Sequence, residues 1–480
     1  MKTHPTACLL LASLLAVPAV IAAAAPAAPK RNVLFLIADD LNCELGAYGA
    51  AHMKTPNLDR LATRGVRFDR AYTQFPLCSP SRSSFLTGRR PNVTGVLTNP
   101  GQQNPFTFHF RSKIPETITL PQAFKRAGWF AVRVGKLYHY GVPNDIGTSS
   151  LDDYFSWDQV INPRGRDRDL HDKIFSLTPG QFGGVLSWLR DDEGDDLQHT
   201  DGIGATEAIE LLEKFKREAR PFFLAVGFYR PHTPYVAPKK YFDLYPRNQI
   251  ALPVLSADDR ARTPAPAYAS ARADQDRATD DQRRDAIQAY RASTSYMDAQ
   301  VGRVIAALDR LGLAGNTVIS FTSDHGYHLG DHGLWQKQSL FERSTRVPLI
   351  IAAPGAKANG QVARGVVEMV DLYPTLAALA GAPAPDYLDG VSLRPMLDDA
   401  KAVVKTAAFS QVRRSATVEG YAVRLGQWRY IEYGVDGAAG RQLFDEDSDP
   451  AETKNLAGAP AHAAVVAQLS ALIARERARK

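Results

Sequence analysis

The sequence predicts an α/β fold: a large mixed, mostly parallel sheet sandwiched by helices, with a small C-terminal α+β subdomain. Apolar runs at residues 33–38, 129–134, 221–226, 317–322 and 347–352 carry few polar residues, as strands buried on both faces do. Amphipathic helical stretches at 118–127, 206–217 and 285–311 lie between them, and this alternation is the mark of a parallel sheet covered on both sides. The chain has 480 residues, 45% of them hydrophobic and 22% charged, which suits one large domain and a smaller one. That composition excludes disorder, collagen-like repeats and coiled coil as descriptions of the whole chain.

Residues 1–25 read as a secretory signal, with Lys2 ahead of an apolar run from Ala7 to about Ala24 and an alanine-rich cleavage region near 23–28. The alternative is an N-terminal membrane anchor. With the signal removed the chain is expected to be periplasmic or secreted, without stable membrane insertion. Cys8 leaves with the signal, so Cys43 and Cys78 remain, and a disulfide between them is set aside because Cys78 has a better use. Cys43 is read as structural. In the helix expected over 285–311, Met297, Val301, Val304, Ile305, Leu308 and Leu311 recur at helical spacing. Residues 256–284 are polar and charged and read as a surface insertion. A Pro-containing turn at 382–389 closes the main unit. Strand candidates at 407–412, 421–425 and 428–433 and a helix at 461–477 form the appendage, placed at 400–480.

Ionisable residues follow the strands. Asp39 and Asp40 end the first run, and Ser323-Asp324-His325-Gly326 ends the fourth. Gly135-Lys136-Leu137-Tyr138-His139 follows the second, and Tyr229-Arg230-Pro231-His232 the third. Ligands of open α/β sheets bind outside the carboxyl ends of the strands. Three carboxylates gathered at one rim repel unless a divalent cation neutralises them, and oxygen ligation favours calcium or magnesium over zinc. Lys136, His139, His232 and Lys337 form a cationic complement suited to an oxyanion such as sulfate or phosphate. On residue type alone Lys337 is an ordinary solvated lysine. Pro80 fits the first turn of a helix and Gly88 its end, so Cys78 stands at a helix N-terminus, where amides and dipole lower a thiol pKa. Arg82 follows one turn later on the same side.

Cys78-Ser79-Pro80-Ser81-Arg82, continued by Thr87-Gly88-Arg89, resembles the signature of the type I (formylglycine-dependent) sulfatases, whose fold is alkaline phosphatase-like. The resemblance runs from about Arg31 to the end of the chain. Val134-Gly135-Lys136 with His139, Arg230-Pro231-His232-Thr233-Pro234, His332-Gly333-Leu334-Trp335-Gln336-Lys337 and Val370-Asp371-Leu372-Tyr373-Pro374-Thr375 resemble the iduronate-2-sulfatase branch in particular. The resemblance implies a catalytic domain over 31–385 and conversion of Cys78 to Cα-formylglycine (3-oxoalanine) by a formylglycine-generating or anaerobic sulfatase-maturing enzyme. It implies one Ca2+ held by Asp39, Asp40, Asp324, His325 and an oxygen of modified Cys78. The hydrated aldehyde would attack sulfur, the alcohol would leave, and the carbonyl would reform as sulfate departs. His139 would be the base near the diol, Arg82 and Lys136 would hold the hydrate and the sulfate oxygens, and His232 and Lys337 would contact sulfate or protonate the leaving oxygen.

Residues 161–201, with Arg164, Arg166, Arg168 and His171, and residues 256–284 match the branch poorly, and such loops set substrate choice. The arginines either grip a uronate carboxylate or belong to a solvated loop. His328 and His332 are expected to shape the site rather than react. The implied substrate is a sulfated sugar, a 2-O-sulfated uronate on the branch resemblance. Rivals are another sulfated polysaccharide fragment, a phosphonate or phosphate ester hydrolase of the same fold, and a non-catalytic sulfated-glycan-binding protein. A net charge of +6 over this length is weak evidence for nucleic-acid binding, and no motif for it is present.

Overall fold

In the computed structural model, residues 30–100, 109–255 and 259–479 are described. The expected signal segment lies outside them. Eight strands form the main sheet: β1 (Asn32–Ala38), β2 (Val66–Tyr72), β3 (Phe130–Gly135), β4 (Gln159–Ile161), β5 (Phe222–Gly227), β6 (Thr317–Ser323), β7 (Arg346–Ala352) and β8 (Val362–Glu368). Their order is β8-β2-β7-β6-β1-β5-β3-β4. Only β7 runs antiparallel to its neighbours, β2 and β6, which makes the sheet mixed but mostly parallel.

The alternation of β1 divides the core. Val33, Phe35 and Ile37 face one layer, where they meet Phe85 of α2 (Cys78–Thr87), Phe124 of α3 (Leu120–Arg126) and Leu376 of a later helix over Leu372–Ala380. Leu34, Leu36 and Ala38 face the other, against Leu58 and Leu61 of α1 (Pro56–Arg64), Leu212 of the helix over Thr200–Glu218, and Val301, Val304 and Leu308 of the long helix over Asp280–Arg310. Each such side chain contributes about 1.5–3 kcal/mol on full burial, so the central strand is fixed from both faces. This arrangement aligns the carboxyl ends of β1, β3, β5 and β6 on one rim.

The two principal amphipathic helices begin earlier than hydrophobic spacing predicts. The long one starts at Asp280 because Thr279 and Gln282 form a reciprocal capping box. The other starts at Thr200, whose otherwise orphaned amide donates to Asp167 Oδ1 at 2.8 Å. Beyond the main sheet, β9 (Ala407–Arg413), β10 (Glu419–Leu425), β11 (Trp428–Tyr433) and β12 (Gly440–Asp445) form an antiparallel sheet. Leu469 and Ile473 of the last helix, Ala463–Arg477, pack onto it.

Candidate active site

Asp39 and Asp40 leave β1, and Asp324 and His325 leave the adjacent β6; all four are fully buried. Asp40 has a positive φ of 65°, a conformation that Asp tolerates better than most residues. Two bonds hold it there: its amide donates to Asp324 Oδ1 at 3.1 Å, and the Tyr290 hydroxyl donates to its carbonyl at 2.9 Å. Lys136 follows Gly135, whose φ of 73° and contact with the Gly227 carbonyl leave no room for a Cβ. Cys78 opens α2, a helix of polar sequence buried along its whole length. Its hydroxyls are used locally: Ser81 Oγ donates to the Asp324 carbonyl and Thr87 Oγ1 to that of Ser83.

These elements bring ten expected residues to one place. Lys337 Nζ donates to both oxygens of Asp40, at 2.6 and 2.8 Å, and lies 3.3 Å from Cys78 Sγ. It is only 7% exposed, so it is not the solvated lysine its residue type suggests. Lys136 Nζ lies 2.5 Å from Asp39 Oδ2. Arg82 braces the cluster from below. It donates to Asp324 and Asp39 at 3.0 Å each, and to the carbonyls of Lys136 and Leu137 at 2.7 and 3.1 Å. With those bonds made it acts on the cluster chiefly by positioning. His325 Nε2 lies 3.4 Å from Cys78 Sγ and 3.3 Å from Asp40 Oδ1. His232 Nε2 lies 3.8 Å from Asp40 Oδ2. Both imidazoles place Nδ1 against a backbone carbonyl, Gly326 for His325 and Thr233 for His232, which aims Nε2 into the cluster. His139 is set back, and its Nδ1 is buried without a hydrogen-bond partner among the described residues.

The electrostatics follow from burial. Three carboxylates face three permanent cations, Arg82, Lys136 and Lys337. Burial alone would raise the Asp39 pKa, but Lys136, His232 and Arg82 outweigh it and hold it well below the usual carboxylate range. Burial would raise the Cys78 thiol, yet Lys337 prevails and its pKa falls. Burial lowers His139 and His232 well below the ordinary imidazole value, reinforced by Lys136 and Lys337 respectively, so both are neutral at pH 7. Burial would do the same to His325, but Asp324 and the Cys78 sulfur raise it to about 9. Ligating atoms of Asp40, Cys78, Asp324 and His325 lie within 4.8 Å of one another, as do those of Asp39, Asp40 and His232. Buried, convergent and rich in carboxylate oxygen, this donor set fits a hard divalent cation.

Other sequence candidates lie elsewhere. Cys43 and Cys78 are both free thiols. Cys43 lines a cavity of about 480 Å3 with Arg343, Arg346 and Glu452, a space that none of the cluster residues lines. Arg164 is paired with Asp169, and Arg166 with Asp191 and Glu193. His328 bonds Ser339, and His332 stacks on Phe341 with ring centroids 4.0 Å apart. Three supporting residues went unread in the sequence. Tyr290 looks like any apolar position of its helix. Asn99, whose Oδ1 accepts the Ser79 amide at 2.8 Å, sits in a loop without pattern. Asp167 holds Arg230, which in turn donates to the His232 and Pro234 carbonyls.

Comparison with known proteins matches residues 31–382 to the family described as Sulfatase. The chain belongs to the sulfatase family. It is a sulfuric ester hydrolase, close to the iduronate-2-sulfatase branch. Residues 330–479 of this sulfatase also match the family described as N-sulphoglucosamine sulphohydrolase, C-terminal. It is 37% identical to iduronate 2-sulfatase of Mus musculus over 405 residues, 74% of this chain and 69% of that protein. It is 33% identical to a sulfatase of Formosa agariphila over 468 residues, covering 94% of this chain and 87% of that one. Its fold superposes on the phosphonate monoester hydrolase of Agrobacterium radiobacter with a TM-score of 0.75 at 24% identity, covering 94% and 96% of the two chains. That likeness establishes the alkaline phosphatase-like fold and nothing about the leaving group.

Proposed function

We propose that this sulfatase is exported and hydrolyses sulfate esters of sugars, with a 2-O-sulfated uronate as substrate. Residues 31–385 form the catalytic domain and 400–480 the C-terminal subdomain. The observation that carries the reading is the buried constellation of Cys78 with Asp39, Asp40, Asp324 and three cations. Residues Asp39, Asp40, Asp324 and His325, with position 78, hold Ca2+, and a maturing enzyme converts Cys78 to formylglycine. When present, these groups supply charge neutralisation for sulfate oxygens and a hydroxyl nucleophile in place of the thiol.

The protein's own residues then have distinct tasks. Lys136 and Lys337, fixed on Asp39 and Asp40, point ammonium groups at the space beside Cys78, where sulfate oxygens are stabilised. Neutral His139 accepts a proton near position 78, and its free buried Nδ1 supports that assignment. His232 presents Nε2 to the sulfate, because its Nδ1 proton is committed to Thr233. Lys337, held charged by Asp40, is the nearest proton source for the leaving oxygen.

The test is sulfate release by protein whose Cys78 conversion has been confirmed by peptide mass. The expected result is release from a 2-O-sulfated uronate disaccharide, slower release from a sugar 6-sulfate, and none with Cys78→Ala. Release from neither sugar, with turnover of a matched phosphate ester, would replace this reading with the phosphoester one.

A further inference from the structure

Arg414 begins the turn that joins β9 to β10, and its amide donates to the Val418 carbonyl at 2.8 Å. The strand before it follows the segment that leads into Cys78. Ser410 Oγ donates to the Thr73 carbonyl at 2.5 Å, the Gln411 amide to that of Gln74 at 2.9 Å, and Val412 packs with Phe75 and Leu77. The turn therefore continues toward the N-terminus of α2. The Arg414 guanidinium lies 5.9 Å from the centroid of the Tyr433 ring. That ring belongs to the same apolar cluster as Leu77 and Leu340, which are close in sequence to Cys78 and Lys337. Arg414 thus lies on a turn of the C-terminal sheet whose preceding strand runs along the segment leading into Cys78.

Its chemistry is unusual for this molecule. Arg414 Nε and Nη2 are buried, and the hydrogen-bond partner of the guanidinium is the neutral Tyr433 hydroxyl, not an anion. Burial pushes its pKa down, with no carboxylate to oppose it. For Arg82, Arg90, Arg343 and Arg429, burial acts in the same direction but Asp or Glu partners outweigh it and the shift is upward. A partly desolvated guanidinium without an anionic partner costs stability, and its planar fork suits a carboxylate or sulfate. Among the arginines of residues 161–201, Arg164 and Arg166 are already paired with carboxylates, and Arg168 Nη1 bonds His171.

We infer that Arg414 binds a second anionic group, a carboxylate or sulfate, on the sugar whose sulfate ester is cleaved at Cys78. This rests on the sugar-sulfatase reading above. The experiment compares wild type, Arg414→Met and Arg414→Lys on three sugars: a uronic acid 2-sulfate, the hexose 2-sulfate made by reducing its carboxyl group, and that hexose carrying an additional sulfate. For Arg414→Met, kcat/KM is expected to fall about 10- to 100-fold on the sugar bearing the recognised anion. On the reduced hexose it falls less than about threefold, Arg414→Lys lies between, and the melting temperature does not fall. The uronate and disulfate arms tell carboxylate from sulfate. Equal losses on all three sugars, no loss on any, or a melting temperature lowered by several degrees would each overturn the inference. If wild type turns over none of the sugars, the sugar-sulfatase reading fails instead. The melting comparison then still judges Arg414, because a structural role predicts destabilisation.

Discussion

At Lys337 two roles meet in one atom. Its ammonium occupies both oxygens of Asp40, so it competes with any cation for that carboxylate. Lys337→Met is expected to raise calcium affinity at least about tenfold, since a nearby like charge is removed. The same change should lower kcat/KM by about 100-fold or more if Lys337 has its proposed role as a donor to sulfate. Calcium titrations followed by melting temperature, alongside sulfate release, check both signs. Glu44 supplies the pH dependence. Burial would raise its pKa, but the hydrogen bond from His52 and the charges of Arg343 and Arg291 hold it at about 2. A depressed carboxyl stabilises the fold above its unfolded value of 4.5, and that contribution is lost as pH falls from 4.5 toward 2. Glu44→Gln should therefore cost about 2–3 kcal/mol at pH 7, and urea midpoints should show the gap closing below pH 4.5.

Elements carry the site through their ends. Asp298, on the long helix, accepts the amides of Asn57 and Leu58 at 3.1 and 2.8 Å, capping the helix over Pro56–Arg64 that lines the β1 face. Asp298→Ala leaves those donors unmet inside the protein and should cost about 2–3 kcal/mol, read as a lower urea midpoint with an unchanged slope. The strands buried on both faces were legible because apolar runs as unbroken as 33–38 have few other uses. By contrast β2 mixes Arg67, Asp69 and Arg70 with apolar residues, and β8 sits at the sheet edge with Arg364 exposed, so neither shows such a run. β12 has only Leu443 and Phe444 as an apolar pair among polar neighbours, too short to read as a run. The site was legible for the same reason as the strands: Asp39, Asp40, Lys136, Asp324 and His325 follow them directly. Lys337 reaches the cluster from a hairpin between the positive-φ residues Gln336 and Gln338, a path no periodicity announces.

At the scale of the whole molecule, a buried network joins the main sheet to the C-terminal one. Glu368, at the end of β8, pairs with Arg90 at 2.7 Å and Lys405 at 2.7 Å, and accepts the Phe409 amide of β9 at 2.9 Å. Arg90 also reaches Glu476 of the final helix at 2.8 Å. Glu368→Ala leaves Arg90 to Glu476 alone and Lys405 to Asp371 alone, and should cost about 3 kcal/mol. Because the network spans both sheets, calorimetry should show one transition shifted as a unit; two separated transitions would contradict the coupling.

On the proposed reading, position 78 is the residue that a maturing enzyme converts before the cluster around it works. The most direct measurement is sulfate release across preparations that differ in the fraction of converted Cys78, each fraction read from peptide mass. The rate should rise in proportion to that fraction and extrapolate to zero for unconverted protein. Sulfate release at full rate from protein with intact Cys78, or from Cys78→Ala, would contradict it.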